Sequence, residues 1–91
     1  MSIRRIVLDV LKPHQPRIHE LATQVSALEG VEGINITLME VDADTESVTV
    51  TLEGRFTFDE IKEKLEEWNC SIHSIDQVIA GDKLVEYKKW K

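Results

Sequence analysis

VEGINITLMEVDADTESVTVTLE, residues Val31 to Glu53, decides the fold. In its first half Ile34, Ile36 and Leu38 alternate with Asn35, Thr37 and Met39; in its second half Val48, Val50 and Leu52 alternate with Thr49, Thr51 and Glu53. A two-residue period with one apolar and one polar side is the mark of a half-buried strand. The stretch therefore reads as a hairpin, two strands joined by the acidic turn around Asp42 to Glu46.

The same residues invite another reading. Asp42, Asp44, Glu46 and Glu53 occupy positions 1, 3, 5 and 12 of a helix-loop-helix calcium loop. Position 6 of such a loop is held by glycine, and here it is Ser47, with no glycine between Met39 and Glu53. The alternation of Val48, Val50 and Leu52 also carries Glu53 about 20 Å along a strand from the turn, at ~3.3 Å per residue. A helix-loop-helix calcium site is excluded. Asp42, Asp44 and Glu46 remain as a candidate calcium set at the hairpin tip, especially if a symmetry mate adds oxygen ligands; the alternative is a solvated acidic turn.

Upstream of the hairpin, IRRIVLDVLK (Ile3 to Lys12) is a strand with two different sides: Ile6, Leu8 and Val10 on one, Arg5, Val7, Asp9 and Leu11 on the other. Pro16 suits the first turn of a helix on which Ile18, Leu21, Val25 and Leu28 recur at helical spacing, with Gly30 past its end. Downstream, Thr57 and Glu60 form a capping box, Phe56 is placed to staple against Ile61, and Phe58, Ile61, Leu65 and Trp68 make a buried stripe. SIHSIDQVIAG (Ser71 to Gly81) supplies a last strand whose imperfect alternation indicates a bulge near Ser74 to Asp76.

The order is strand, helix, strand, strand, helix, strand. Right-handed crossovers then predict an α+β ferredoxin-like plait, a four-stranded antiparallel sheet ordered four-one-three-two with both helices on one face. Residues 1–81 form one domain. Residues 82–91, DKLVEYKKWK, form a tail in which Leu84, Val85, Tyr87 and Trp90 suit a short extra strand or a dock on a neighbouring subunit.

Seventeen acidic residues against eleven basic ones give a formal charge of −6, which disfavours nucleic acid as a partner. One cysteine, Cys70, excludes an intrachain disulfide and any cysteine-rich metal framework. No apolar run is long enough to span a membrane, and a soluble cytoplasmic protein is expected. A core from 91 residues leaves modest net stability, so homo-oligomerisation is a further expectation.

The plait leaves one sheet face uncovered by its helices. The alternation places Arg5, Val7, Asp9, Leu11, Asn35, Thr37, Met39, Thr49, Thr51 and Glu53 there, a mixture suited to a ligand floor or a subunit interface. His73, on the strand beside the first, joins Asp9 on that face as a candidate acid-base or metal pair; the plainer reading is a structural hydrogen bond. The four glycines punctuate element ends and form no phosphate-cradling run.

At IRRIVLDVLKPH, LEGVEGINITLMEVD and SIHSIDQVIAG the sequence resembles the archaeal domain of unknown function 211 family, from Ile3 to about Gly81. The resemblance implies a compact ferredoxin-like domain that assembles into oligomers. It carries no activity and no catalytic residue, and within its motifs Asp9, His14, His73 and Asp76 stand out. The expected function is a non-enzymatic oligomeric binding module, with calcium or an unidentified small regulatory molecule as ligand. Two alternatives are a structural self-assembly protein with no ligand and an enzyme using the Asp9–His73 pair.

Overall fold

The computed structural model describes residues 2–88. Its elements follow the expected order: β1 Ile3–Pro13, α1 Ile18–Ser26, β2 Val31–Val41, β3 Thr45–Phe56, α2 Phe58–Glu67 and β4 Ser71–Ala80. The strands make one antiparallel sheet in the order β2-β3-β1-β4, the expected order read from the other edge. This is a ferredoxin-like α+β plait. Its shortest extent is 18 Å, room for a sheet and one layer of helices, so the second sheet face has no helix over it.

Strand parity sets the core. Ile6, Leu8 and Val10 of β1 and Val48, Val50 and Leu52 of β3 all face the helices and are buried against Leu21 and Val25 of α1 and Ile61 and Leu65 of α2. The capping box of α2 forms as expected: Thr57 Oγ1 accepts from the Glu60 backbone N–H at 3.4 Å, and Glu60 accepts from the Thr57 N–H at 3.2 Å. Phe56 and Ile61 are both buried, as the staple requires.

Three boundaries differ from the sequence reading. Pro16 lies ahead of the first helix rather than in its first turn: Arg17 is the N-cap residue, and Glu20 accepts from its backbone N–H at 3.0 Å. That helix ends at Ser26, before Leu28. β3 runs three residues beyond Glu53, because Gly54 has a φ of +151° that lets its backbone lie against Gly30, whose carbonyl accepts from Arg55 N–H at 2.7 Å. In the tail, residues 84–88 have no regular secondary structure, and Trp90 lies outside the described residues.

β4 contains two irregularities, at His73 and at Asp76, where its register against β1 slips by one residue. Ile72, Ile75 and Val78 therefore oppose Val10, Leu8 and Ile6 although they are spaced by three rather than two. The imperfect alternation of the sequence is this pair of bulges.

Candidate functional site

The uncovered face is built in cross-strand rows. Arg5 stands between Glu53 and Ile79, Val7 between Thr51 and Gln77, Asp9 between Thr49 and Ser74, and Leu11 between Ser47 and Ser71. On the outer side Asn35 pairs with Thr51 and Thr37 with Thr49. The expected face residues on β1, β2 and β3 thus share one surface, with one adjustment. A bulge at Met39 brings Glu40 opposite Ser47, so Glu40 joins the face.

The Val7 row across the middle of the face is uncharged, and charged side chains stand to either side of it, Arg5 and Glu53 on one and Asp9 and Glu40 on the other. At one end Arg5 donates to Glu53 Oε2 and to Glu86 Oε1, both at 2.8 Å. The bonds to Glu86 and Glu53 hold the guanidinium above its ordinary pKa. Glu86 belongs to the tail, so this pair ties the tail to the Arg5 end of the open face. At the other end Asp9, Leu11, Glu40, Asp42, Ser47 and His73 line an open depression of about 270 Å³.

Asp9 and His73 do meet in that depression, but Asp9 accepts from Ser47 Oγ at 3.3 Å, and among the described residues no hydrogen bond joins it to His73. The bulge at His73 leaves that residue unpaired at the exposed edge of β4. An oriented acid-base pair needs a direct hydrogen bond or one bridging water and a fixed ring. No hydrogen bond fixes the His73 ring among the described residues, and the Ser47 hydroxyl in the depression donates to Asp9.

The acidic turn is divided by parity. Asp42 and Asp44 are exposed at the tip, where Asp42 N–H donates to the Thr45 carbonyl at 2.8 Å and closes the hairpin. Glu46 shares the parity of Val48, Val50 and Leu52 and so points to the helix side. There Lys12 Nζ donates to Glu46 Oε1 at 2.7 Å and to the Pro13 carbonyl at 2.8 Å. His14 Nδ1 lies 3.0 Å from Glu46 Oε2, and its Nε2 lies 2.9 Å from the Ala43 carbonyl. One chain therefore does not assemble Asp42, Asp44 and Glu46 around an ion, and among the described residues no three His, Cys, Asp or Glu side chains are placed to hold one.

This Lys12–Glu46–His14 cluster was not among the expected sites. Its signal was present, since Lys12 continues the parity of Ile6, Leu8 and Val10 and is fully buried. Both His14 nitrogens face acceptors, an arrangement that only the doubly protonated ring satisfies. Glu46 and the Ala43 carbonyl accordingly raise the His14 pKa, while Lys12 and then His14 lower that of Glu46. Cys70 is buried, and burial pushes its thiol pKa up, so it is not a reactive thiol.

A plait with a half-polar open face and no three-ligand metal set among its described residues is the class of protein that these features define. The chain belongs to the domain of unknown function 211 family, DUF211, described as "Uncharacterized ArCR", whose profile matches residues 4–91. It is 52% identical over 86 residues to an uncharacterized protein of Methanocaldococcus jannaschii, an alignment covering 93% of this chain and 89% of that protein. The match extends through the tail, which the sequence motifs had left outside. No helix among the described residues is long and apolar enough to cross a membrane.

Proposed function

We propose that this protein is a non-enzymatic binding module that works as a homo-oligomer, with the open sheet faces as the contact between copies. The observation that carries the reading is the uncovered face itself, across whose middle the row of Gln77, Val7, Thr51 and Asn35 holds no charge. Four strands about 4.8 Å apart and nine or so residues long at ~3.3 Å each present roughly 600 Å². Two such faces bury about 1,200 Å², the lower bound of a specific protein–protein contact.

The ligand in this proposal is a hard divalent cation, calcium, held by carboxylates from more than one copy. Asp9, Glu40 and Asp42 gather toward one end of the contact face, an oxygen-rich and sulfur-free donor set. One chain supplies too few converging ligands, so binding and assembly are coupled. Sedimentation equilibrium of metal-stripped wild type and Thr51→Arg, with and without calcium, tests both parts. Wild type heavier than one chain, Thr51→Arg lighter, and a calcium-dependent mass in wild type alone are expected. Equal masses for the two proteins would remove the open face as the contact.

A further inference from the structure

The apolar row of β4 has no full cover in its own chain. Ile72, Ile75 and Val78 face the helix side, yet α2 lies over the row incompletely and Ile75 and Val78 are each 50% exposed. Between the row and α2 runs an open groove of about 510 Å³ with Phe58, Ile72 and Ile75 as its apolar wall and Lys62, Glu66 and His73 at its rim. The helix beside it is acidic: Asp59, Glu60, Glu63, Glu66 and Glu67 against Lys62 and Lys64. Among the described residues only Glu67 of these five has an ion-pair partner, Lys64 at 3.7 Å.

The complementary chemistry stands on the C-terminal segment. Leu84, Val85 and Tyr87 are 45%, 68% and 82% exposed, an unusual density of apolar side chains on six residues without regular structure. Lys83 and Lys88 flank them, and the sequence continues with Lys89, Trp90 and Lys91. The carboxylate among them, Glu86, is already neutralised by Arg5 at 2.8 Å. A cationic, aromatic segment and an apolar-walled groove, its rim charges Lys62 and Glu66 balanced and set beside the acidic helix α2, match in polarity and in the charge of that helix.

We propose that the C-terminal segment of one copy docks in the groove between β4 and α2 of a second copy. Arg5 stands on the open face and holds Glu86 there, whereas the groove opens on the helix side of the sheet, so the occupant comes from a neighbour. The contact is heterologous, tail to groove, unlike the face-to-face contact, and it repeats from copy to copy until a ring closes. Val85 and Tyr87 cover Ile75 and Val78, while Lys88 meets Glu66. The inference rests on the self-association proposed above but uses a different surface, so the two fail separately.

The test is sedimentation velocity over a concentration series in the Thr51→Arg background, where the open face is disabled. A groove variant, Ile75→Glu, and a tail variant, Val85→Ser with Tyr87→Ser, are each expected to weaken the remaining association about tenfold or more, as loss of a central apolar anchor does. Glu66→Lys, on the exposed surface of α2, is the second groove variant and guards against a folding defect in Ile75→Glu, with circular dichroism as the check. Mixing the Ile75→Glu and tail variants leaves one intact groove and one intact tail per pair, so a one-to-one heterodimer reappears. A Thr51→Arg protein that is monomeric throughout, or a mixture that recovers no heterodimer, overturns the proposal. Wild type and Thr51→Arg of equal mass, both dissociated by Ile75→Glu, would instead overturn the face-to-face reading and keep this one.

Discussion

Replacing Gly54 with alanine separates backbone strain from packing in a way the other glycines can calibrate. Gly54 has a φ of +151°, and a Cβ there would fall inside contact distance of the Gly30 carbonyl oxygen and 2.8 Å from the Glu32 nitrogen. Holding a non-glycine residue in such a conformation costs about 1–3 kcal/mol. Pushing the two segments apart also loses the 2.7 Å bond from Arg55 N–H to Gly30, at about 1 kcal/mol. Alanine offsets roughly 0.5–1 kcal/mol of this by restricting the unfolded chain. The net loss is about 1–3.5 kcal/mol, a fall in Tm of roughly 4–28 °C for a domain of this size. Gly81, with a φ of +97° and no atom within 4 Å of an added Cβ, reports the strain alone. Gly33, with nothing within 4 Å and an ordinary backbone, reports neither. Urea melts at one fixed protein concentration should therefore rank Gly54→Ala below Gly81→Ala, and Gly81→Ala below Gly33→Ala, which stays within about 0.5 kcal/mol of wild type. Gly54→Ala and Gly33→Ala melting together would refute the close approach between Gly30 and Gly54.

Other outcomes follow from single contacts. The raised pKa of His14 means that its bonds to Glu46 and Ala43 stabilise the fold fully below pH 6.5 and are lost as pH rises through the raised folded value. A proton NMR titration should place the His14 midpoint above 6.5, and His14→Gln should lose its stability deficit on the alkaline side of that midpoint. Glu46, with its pKa lowered from 4.5, contributes above that value and loses its contribution as pH falls through the folded one. In Lys12→Met the imidazolium is the remaining partner of Glu46, so that variant should be less impaired at pH 6 than at pH 9 in paired denaturant melts. Thr57→Ala removes the hydroxyl that caps α2 and should cost about 1 kcal/mol by chemical denaturation. Calorimetry on metal-stripped Thr51→Arg should give no saturable calcium heat, because one chain gathers no three ligands among its described residues.

Much of the architecture was legible because alternation and capping act locally. The hairpin, the capping box of α2 and the strand order all follow from residues close in sequence, and the bulge in β4 showed as broken alternation of Ile72, Ile75 and Val78. The start of α1 was misread because Pro16 is acceptable both inside a first turn and just before an N-cap. The metal set was the larger departure. Asp42, Asp44 and Glu46 look alike as neighbours in a turn, but β3 begins at Thr45, and from there parity sends Glu46 through the sheet to Lys12. Reading Lys12 in phase with Ile6, Leu8 and Val10 would have found its partner, since a lysine at a core position requires a carboxylate opposite. The Arg5–Glu86 pair spans 81 residues and had no local signal at all.

The contact between open faces is tested most directly by the accessibility of its centre. Thr49 lies between Asp9 and Thr37 on the open face, and the natural Cys70 is buried, so a Thr49→Cys protein carries one readily labelled thiol. Thr23→Cys, on the exposed side of α1, is the matched control. Labelling by a small maleimide, followed by mass spectrometry, should be slow for Thr49→Cys in concentrated protein and should accelerate on dilution, while the control stays fast throughout. A Thr49→Cys rate that is fast and independent of concentration would contradict the contact.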